Sequence, residues 1–369
     1  MIVEEFYLIA IAAVVAAECA LIGTVLCLRK MVLLGDAISH AILPGVVFAF
    51  AVTGAIVSPL TLLGAMAFAV LTVALIERLS VTRRIEEQAA TGVVFTFLFA
   101  IGVLGVSYYR SADLDLDCVL FGNLELAPFD LIRVGSTNLG PRALWTNGLL
   151  LVANAAVVAL LFKELKISAF DPEYAQTQGF RPRVLFYVSA VLAALTCVAA
   201  FEAVGVILVV AMLAVPAGAA LLWCSHMHSA LFVAVLHGVI SGVVAYPLAY
   251  TVDCSVAGAA ALIAGALFLV AFLFAPQRGV FARWLAARHR RLHLQALLVL
   301  MHLPEPGKGM ERSTLCRLLN LAETEIEPVI EFLATHGYVR LDGTQIVLTH
   351  EGRRWCHSAG TDSNGDVPS

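Results

Sequence analysis

The chain has 369 residues, 60% of them hydrophobic and only 14% charged, and its mean hydropathy is +0.90. A soluble domain is about half apolar and a quarter charged, so this composition excludes an ordinary soluble globular protein and points to the membrane. The formal net charge of −4 identifies no class of partner, because the charges are segregated along the chain.

The first ten residues, "MIVEEFYLIA", carry acids where a cleavable signal peptide carries bases, so the first apolar run is expected to stay as a span. A span needs about 20 largely apolar residues. Runs of that kind fall near 6–28, 31–52, 59–78, 91–108, 144–162, 184–201, 203–223, 229–250 and 256–275. The stretch 184–223 is too long for one span and is split at its single charge, Glu202. The limits of 31–52 are soft, so the expected fold is an all-α polytopic membrane protein with eight or nine transmembrane helices.

Basic residues set the orientation, because cytoplasmic loops carry the excess of Lys and Arg. With the N-terminus outside, one face receives fourteen of them, among them Arg29, Lys30, Arg78, Lys163, Arg181, Arg278 and Arg291. The other face receives Arg110, Arg133 and Arg142. The first face is therefore the cytoplasm. The outer loop 109–143 carries Asp113, Asp115, Asp117, Glu125 and Asp130; such a mouth attracts cations or is simply a solvated loop. The eight cysteines form no CxxC pair. Cys118 and Cys254 both fall on the outer face, as a bridge or as two free thiols.

Beyond about residue 288 the composition turns soluble. "RRLHLQALLVLMHL" has a helical period, "ERSTLCRLLNLAETEIEPVIEFLATHGYV" predicts two helices across a short turn, and "RLDGTQIVLTHEGRRW" predicts a hairpin. Helix, two helices and hairpin is the order of a winged-helix domain. The expected division is a membrane domain at 1–280, a basic juxtamembrane linker at 281–291, a small cytoplasmic winged-helix-like α+β domain at 292–357, and a disordered tail at 358–369.

Charged or ionisable side chains inside a span cost several kcal/mol and are functional candidates by default. Here they are Glu18, Asp36, His40, Glu202 and His237. At about 1.5 Å of rise per residue, Asp36 lies roughly 9 Å and His40 roughly 15 Å inside the cytoplasmic edge at Lys30. His237 lies roughly 13 Å in from His228, at matching depth on another helix. Residues four apart share a helix face, so Asp36 sits one turn below His40. Imidazole with carboxylate suits Mn, Fe or Zn, whereas Mg and Ca prefer oxygen alone. Pro44, Gly35 and Gly45 interrupt the same helix, as is tolerated where backbone lines a cavity. Each histidine alone is equally well an interhelical hydrogen-bonding group; three such groups at one depth favour a cation site. Glu202 falls about 28 Å from Arg183, as a hairpin-turn residue or an outer-gate residue. Glu18 is expected to make an interhelical hydrogen bond.

"MVLLGDAISHAILPGVVFAF" (31–50), "LFGNLELAPFDL" (120–131), "AFDPEYAQTQGF" (169–180) and "VGVILVVAMLAVPAGAA" (204–220) together resemble the permease subunits of ATP-binding-cassette importers for manganese, zinc and iron. The resemblance covers about residues 5–280. It implies a permease dimer, a cytoplasmic ATP-binding subunit, and an extracytoplasmic metal-binding protein that delivers the cargo, all at a bacterial cytoplasmic membrane. It implies no permanently bound cofactor, only the transported divalent metal. The family's metal-gating carboxylates and histidines carry over to Asp36, His40 and His237, and to Glu202. Its ATPase-coupling segment carries over to 163–183, with Asp171, Glu173, Ala175 and Gly179. Within it, Pro172 starts a short helix on which Ala175 and Gly179 would allow close approach of a partner. The C-terminal segment departs from the family pattern and resembles instead metal-dependent repressors.

The chain has no G-x-x-x-x-G-K-[ST]; "PGKGM" at 306–310 lacks the upstream glycine and the hydroxyl residue. Energy must come from a partner, and the chain is not itself an enzyme. Two other functions compete. A membrane-tethered transcription regulator would need cationic contacts to phosphate, but 292–357 holds six Lys and Arg against eight Asp and Glu, so no nucleic-acid partner is expected. A proton-coupled secondary transporter would use the same intramembrane residues without an ATPase.

Overall fold

In hydrocarbon every backbone N–H and C=O must be satisfied within the segment, which leaves long apolar runs one solution, the helix. The computed structural model describes residues 2–53, 59–81, 85–109, 124–134, 137–276, 278–304, 308–320 and 322–361. Among them, nine helices are long and apolar enough to cross a membrane. These are α1 (Ile2–Leu28), α2 (Val32–Thr53), α3 (Pro59–Val81), α4 (Glu87–Tyr108), α5 (Arg142–Leu160), α8 (Pro182–Val204), α9 (Val206–Trp223), α10 (Met227–Val252) and α11 (Val256–Phe274). Two short helices, α6 (Phe162–Phe170) and α7 (Pro172–Thr177), lie between α5 and α8. Arg83, Arg84, Arg110, Asp113, Asp115, Asp117 and Cys118 lie outside the described residues.

Contacts divide the chain into two compact units, Met1–Gly279 and Val280–Ser369. In the first, α1 is the axis. Ile11, Ala12, Val15, Ala16, Cys19 and Ala20 on it are buried, and it packs on α10, α9, α5 and α8. Helix α2 packs chiefly on α3 and α4, and its inner face meets α8 and α9. The break between α8 and α9 falls at Gly205, not at Glu202. Gly205 takes φ +81°, a conformation open to glycine at no steric cost, whereas Glu202 remains inside the last turn of α8. Between α4 and α5, strands β1 (Leu131–Val134) and β2 (Thr137–Pro141) pair antiparallel, an element that the loop's composition does not announce.

The second unit has its own core of Val299, Leu300, Leu315, Ile326, Val329, Leu333 and Ile346. Its order is α12 (Val280–His302), β3 (Gly309–Glu311), α13 (Arg312–Leu319), α14 (Glu323–Thr335), β4 (Val339–Asp342), β5 (Gln345–Leu348) and α15 (His350–Thr361). The strands form one antiparallel sheet in the order β3-β5-β4. Residues 281–291 are part of α12, and the segment after Thr349 is helical rather than a continuation of the hairpin. Residues 362–369 lie outside the described residues.

Candidate intramembrane cation site

Helix α2 carries two unlike faces. On the inner one, Ser39 Oγ donates to Gly35 O (2.9 Å), and Cys197 Sγ of α8 lies 4.0 Å from that same carbonyl. A Cβ on Gly35 would stand 2.9 Å from Leu213 Cδ1 of α9, so glycine there lets α9 close in. One residue further round, Asp36 and His40 point away from this packing. His40 Nε2 lies 3.3 Å from Asp36 Oδ1, and the side chains are 24% and 40% exposed for His40 and Asp36 respectively. The imidazole is held against Phe95 and Phe99 of α4, with ring centroids 5.1 and 5.3 Å away.

Pro44 interrupts the helix one turn beyond His40. Proline has no N–H, so the His40 carbonyl lacks the partner that residue 44 would otherwise supply. Helix α4 crosses close at this point: a Cβ on Gly102 would stand 2.9 Å from Pro44 N. That carbonyl points along the helix toward residue 44, whereas the Asp36 carboxylate and the His40 imidazole meet on the turn before it.

The other candidates lie elsewhere. His237 of α10 is buried, and its Nε2 is 3.1 Å from Ala264 O of α11. It is not brought to Asp36 and His40: among the described residues no three His, Cys, Asp or Glu side chains are grouped so as to hold a metal ion. Glu202 is exposed and lines an outer cavity of about 280 Å³ with Asp130, Arg142, Thr146 and Asn147. Asn147 is buried; its Nδ2 donates to Ala143 O (2.9 Å), while its Oδ1 has no hydrogen-bond partner. Glu18, fully buried, accepts from Asn154 Nδ2 of α5 (3.3 Å), and the same Asn154 Nδ2 donates to Thr196 Oγ1 of α8 (2.8 Å). These two asparagines carry no charge and so do not stand out among the ionisable residues of the spans. Their signal is two amides seven residues apart, on one face of an otherwise apolar helix.

Between α5 and α8, Asp171 caps α7, with Tyr174 N donating to Asp171 Oδ1 (2.9 Å) and Pro172 in the first turn. Ala175 is fully buried inside its own chain, so it offers no surface to a partner. Gly179 lies beyond the helix end at φ +85°. Gly179 N bonds Gln176 O and Phe180 N bonds Ala175 O (both 3.0 Å), the Schellman closure that needs a left-handed residue. Glycine here serves the backbone turn. What α7 presents outward is Asp171, Glu173, Tyr174 and Gln176.

The ABC 3 transport family matches residues 5–275. The manganese transport system membrane protein MntD of Bacillus subtilis is 39% identical over 292 residues, 79% of this chain and 97% of that one. The zinc transport system membrane protein TroD of Treponema pallidum is 36% identical over 349 residues, 93% and 95% of the two chains. Among solved structures, PsaBC from Streptococcus pneumoniae in complex with Fab superposes with a TM-score of 0.63 at 28% identity, over 78% of this chain and all of that one.

Proposed function

From the premise that this chain belongs to the ABC 3 transport family, we propose that its cargo is manganese or zinc, the two metals for which the relatives MntD and TroD are named. The chain is a multi-pass membrane permease subunit of an ATP-binding-cassette transport system and hydrolyses no nucleotide itself. Iron, expected from the resemblance, is not among the metals in those names.

The observation that carries the metal reading is the pair Asp36–His40, 3.3 Å apart and partly open on a membrane helix. An ionisable pair of this kind costs free energy in hydrocarbon unless it serves a pathway. Carboxylate and imidazole supply two ligand groups, and a transition metal takes four or more donors. We infer that a second permease subunit covers the open side and completes the set. His237, tied to Ala264 in this conformation, joins only if that bond opens. Glu202 acts at the outer mouth, ahead of the midplane.

Three further components follow from the family. An ATP-binding subunit docks on the α6–α7 segment, where Asp171 and Glu173 are exposed. An extracytoplasmic metal-binding protein delivers the ion. The excess of Lys and Arg on one face supports a cytoplasmic second unit, with the chain in a bacterial inner membrane. Its α–β–α–α–β–β order and β3-β5-β4 sheet support the winged-helix reading. In proteoliposomes holding the full transport system, uptake of Mn2+ or Zn2+ is expected to require ATP and to stop with vanadate. Uptake driven by a pH gradient without the ATPase would favour the secondary transporter instead.

A further inference from the structure

The turn between α1 and α2 has no slack. Arg29 N and Met31 N bond Leu26 O at 3.1 and 2.9 Å, and Lys30 N bonds Cys27 O at 3.0 Å. Lys30 itself takes φ +63°, an uncommon conformation for a residue with a Cβ. Helix α2 starts at Val32, so Asp36 lies on its second turn and is rigidly connected to Arg29.

The Arg29 side chain leaves this turn for α6. Its Nη2 donates to Ser168 Oγ at 2.6 Å, across 139 residues of sequence. A bond from a charged donor is shorter and stronger than a neutral one, and here the Ser168 end is buried and the Arg29 end half-buried. Ser168 is buried, as is Leu165 one turn before it, and Arg29 Nε is buried with no hydrogen bond. Ser168 is two residues before Phe170, the end of α6, and three before Asp171, the cap of α7. A cavity of about 350 Å³ borders the link, lined by Arg29, Glu77, Ser80, Ser168, Gln176 and Arg183.

We propose that Arg29, through Ser168, is the positioning residue that carries displacement of the cytoplasmic α6–α7 segment to α2, and so to Asp36 and His40. The proposal rests on the reading that α6–α7 receives the ATPase and that the pair contacts cargo. Coupling between two sites can be carried by packed side chains, hydrogen bonds and rigid helices that connect them. Here that connection is short: the α7 cap, Ser168, Arg29, a rigid turn and two turns of helix. Arg29 touches no cargo. Its role is to make a movement at one surface obligatory at another.

The test is the number of ions imported per ATP hydrolysed, measured in the same proteoliposomes with the full chain, its ATPase and its binding protein. Arg29→Gln is expected to lower that ratio at least fivefold, with ATPase binding and hydrolysis within twofold of the parent. Ser168→Ala should act in the same direction, and the double variant should be no worse than Arg29→Gln alone, because the two residues form one link. Arg29→Lys should recover part of the ratio. If Arg29→Gln fails to fold, Ser168→Ala, which removes a single hydroxyl, decides the matter. An unchanged ratio in the folded variants overturns the proposal, as does a double variant whose losses multiply. Asp36→Asn run alongside separates the two levels. If it abolishes uptake while Arg29→Gln keeps its ratio, only the link is wrong; if it transports normally, the cargo reading beneath is wrong.

Discussion

Asp36 and His40 satisfy each other's hydrogen bonding across one helical turn, yet neither is enclosed. A polar group that only glues helices is buried between them and spends its bonds there, as His237 does on Ala264 O. The two situations predict different tolerance to an amide. His237→Gln keeps a donor within reach of a backbone carbonyl and should retain uptake within about twofold, since interhelical polar bonds are worth only about 0.6 kcal/mol on average. Asp36→Asn and His40→Gln remove a charge and a metal-binding nitrogen, and each should lower uptake about tenfold or more, equivalent to ~1.4 kcal/mol or more of lost binding. Uptake and expression measured together for the three variants check this; a His237→Gln loss equal to that of Asp36→Asn would restore His237 to the site. The sequence announces Asp36 and His40 because charge in an apolar run has few explanations. It places His237 at the right depth, but depth along a helix says nothing about which neighbour the side chain faces. That azimuth is set by how α10 packs on α11.

The helices are held by close approach more than by interlocking bulk. Gly238 and Gly242 of α10, four residues apart, lie on α1: a Cβ on either would stand 2.7 Å from Ala16 O or 2.8 Å from Ala12 O. In lipid, where apolar side chains gain nothing by leaving hydrocarbon, small residues at this spacing allow the van der Waals contact that drives association. Gly242→Val should therefore destabilise the membrane unit by about 1–3 kcal/mol, the usual cost of overpacking, seen as a lower thermal midpoint in detergent. An unchanged midpoint would mean α1 and α10 do not depend on this approach. The same elements show how far periodicity reaches. The apolar runs behind the nine spanning helices among the described residues are legible in the sequence, which leaves eight or nine spans open. Their junctions are not. Glu202 looked like the break because it is charged, but a charge at a helix end is solvated where it stands, while a chain reversal needs a backbone angle that Gly205 supplies. Ala175 and Gly179 looked like a contact surface because they are small. One is a packed core residue and the other a turn residue, and burial separates those roles where composition does not.

At the scale of the whole chain, the two units differ in how they use charge. In the second, Arg312 pairs with Glu327 (2.9 Å), Arg291 with Glu325 (3.2 Å), Arg340 with Asp342 (2.9 Å) and Arg354 with Glu351 (3.7 Å). Neighbouring Asp342 raises the Arg340 pKa further. Arginines already engaged by acids offer little to a phosphate backbone, whose neutralisation dominates nucleic-acid affinity. A cavity of about 680 Å³ beside α14 is lined by Glu311, Glu327 and Glu331, which disfavours that ligand further. These pairings argue against DNA as the partner expected for this unit, and nothing requires it to support the membrane unit's fold. Each unit has a separate apolar core, and the relative MntD is matched over 97% of its own length by 79% of this chain. A cut after Gly279 leaves α12 intact on the discarded side, whereas a cut at 292 would divide that helix. Removal of Val280–Ser369 is thus expected to leave a protein that inserts, runs as a single species in detergent and binds the ATPase. Its thermal midpoint should fall within about 4 °C of the full chain's, the shift that ~1 kcal/mol makes in a large domain. A truncated protein that inserts normally but no longer binds the ATPase would move the docking surface from α6–α7 into the second unit.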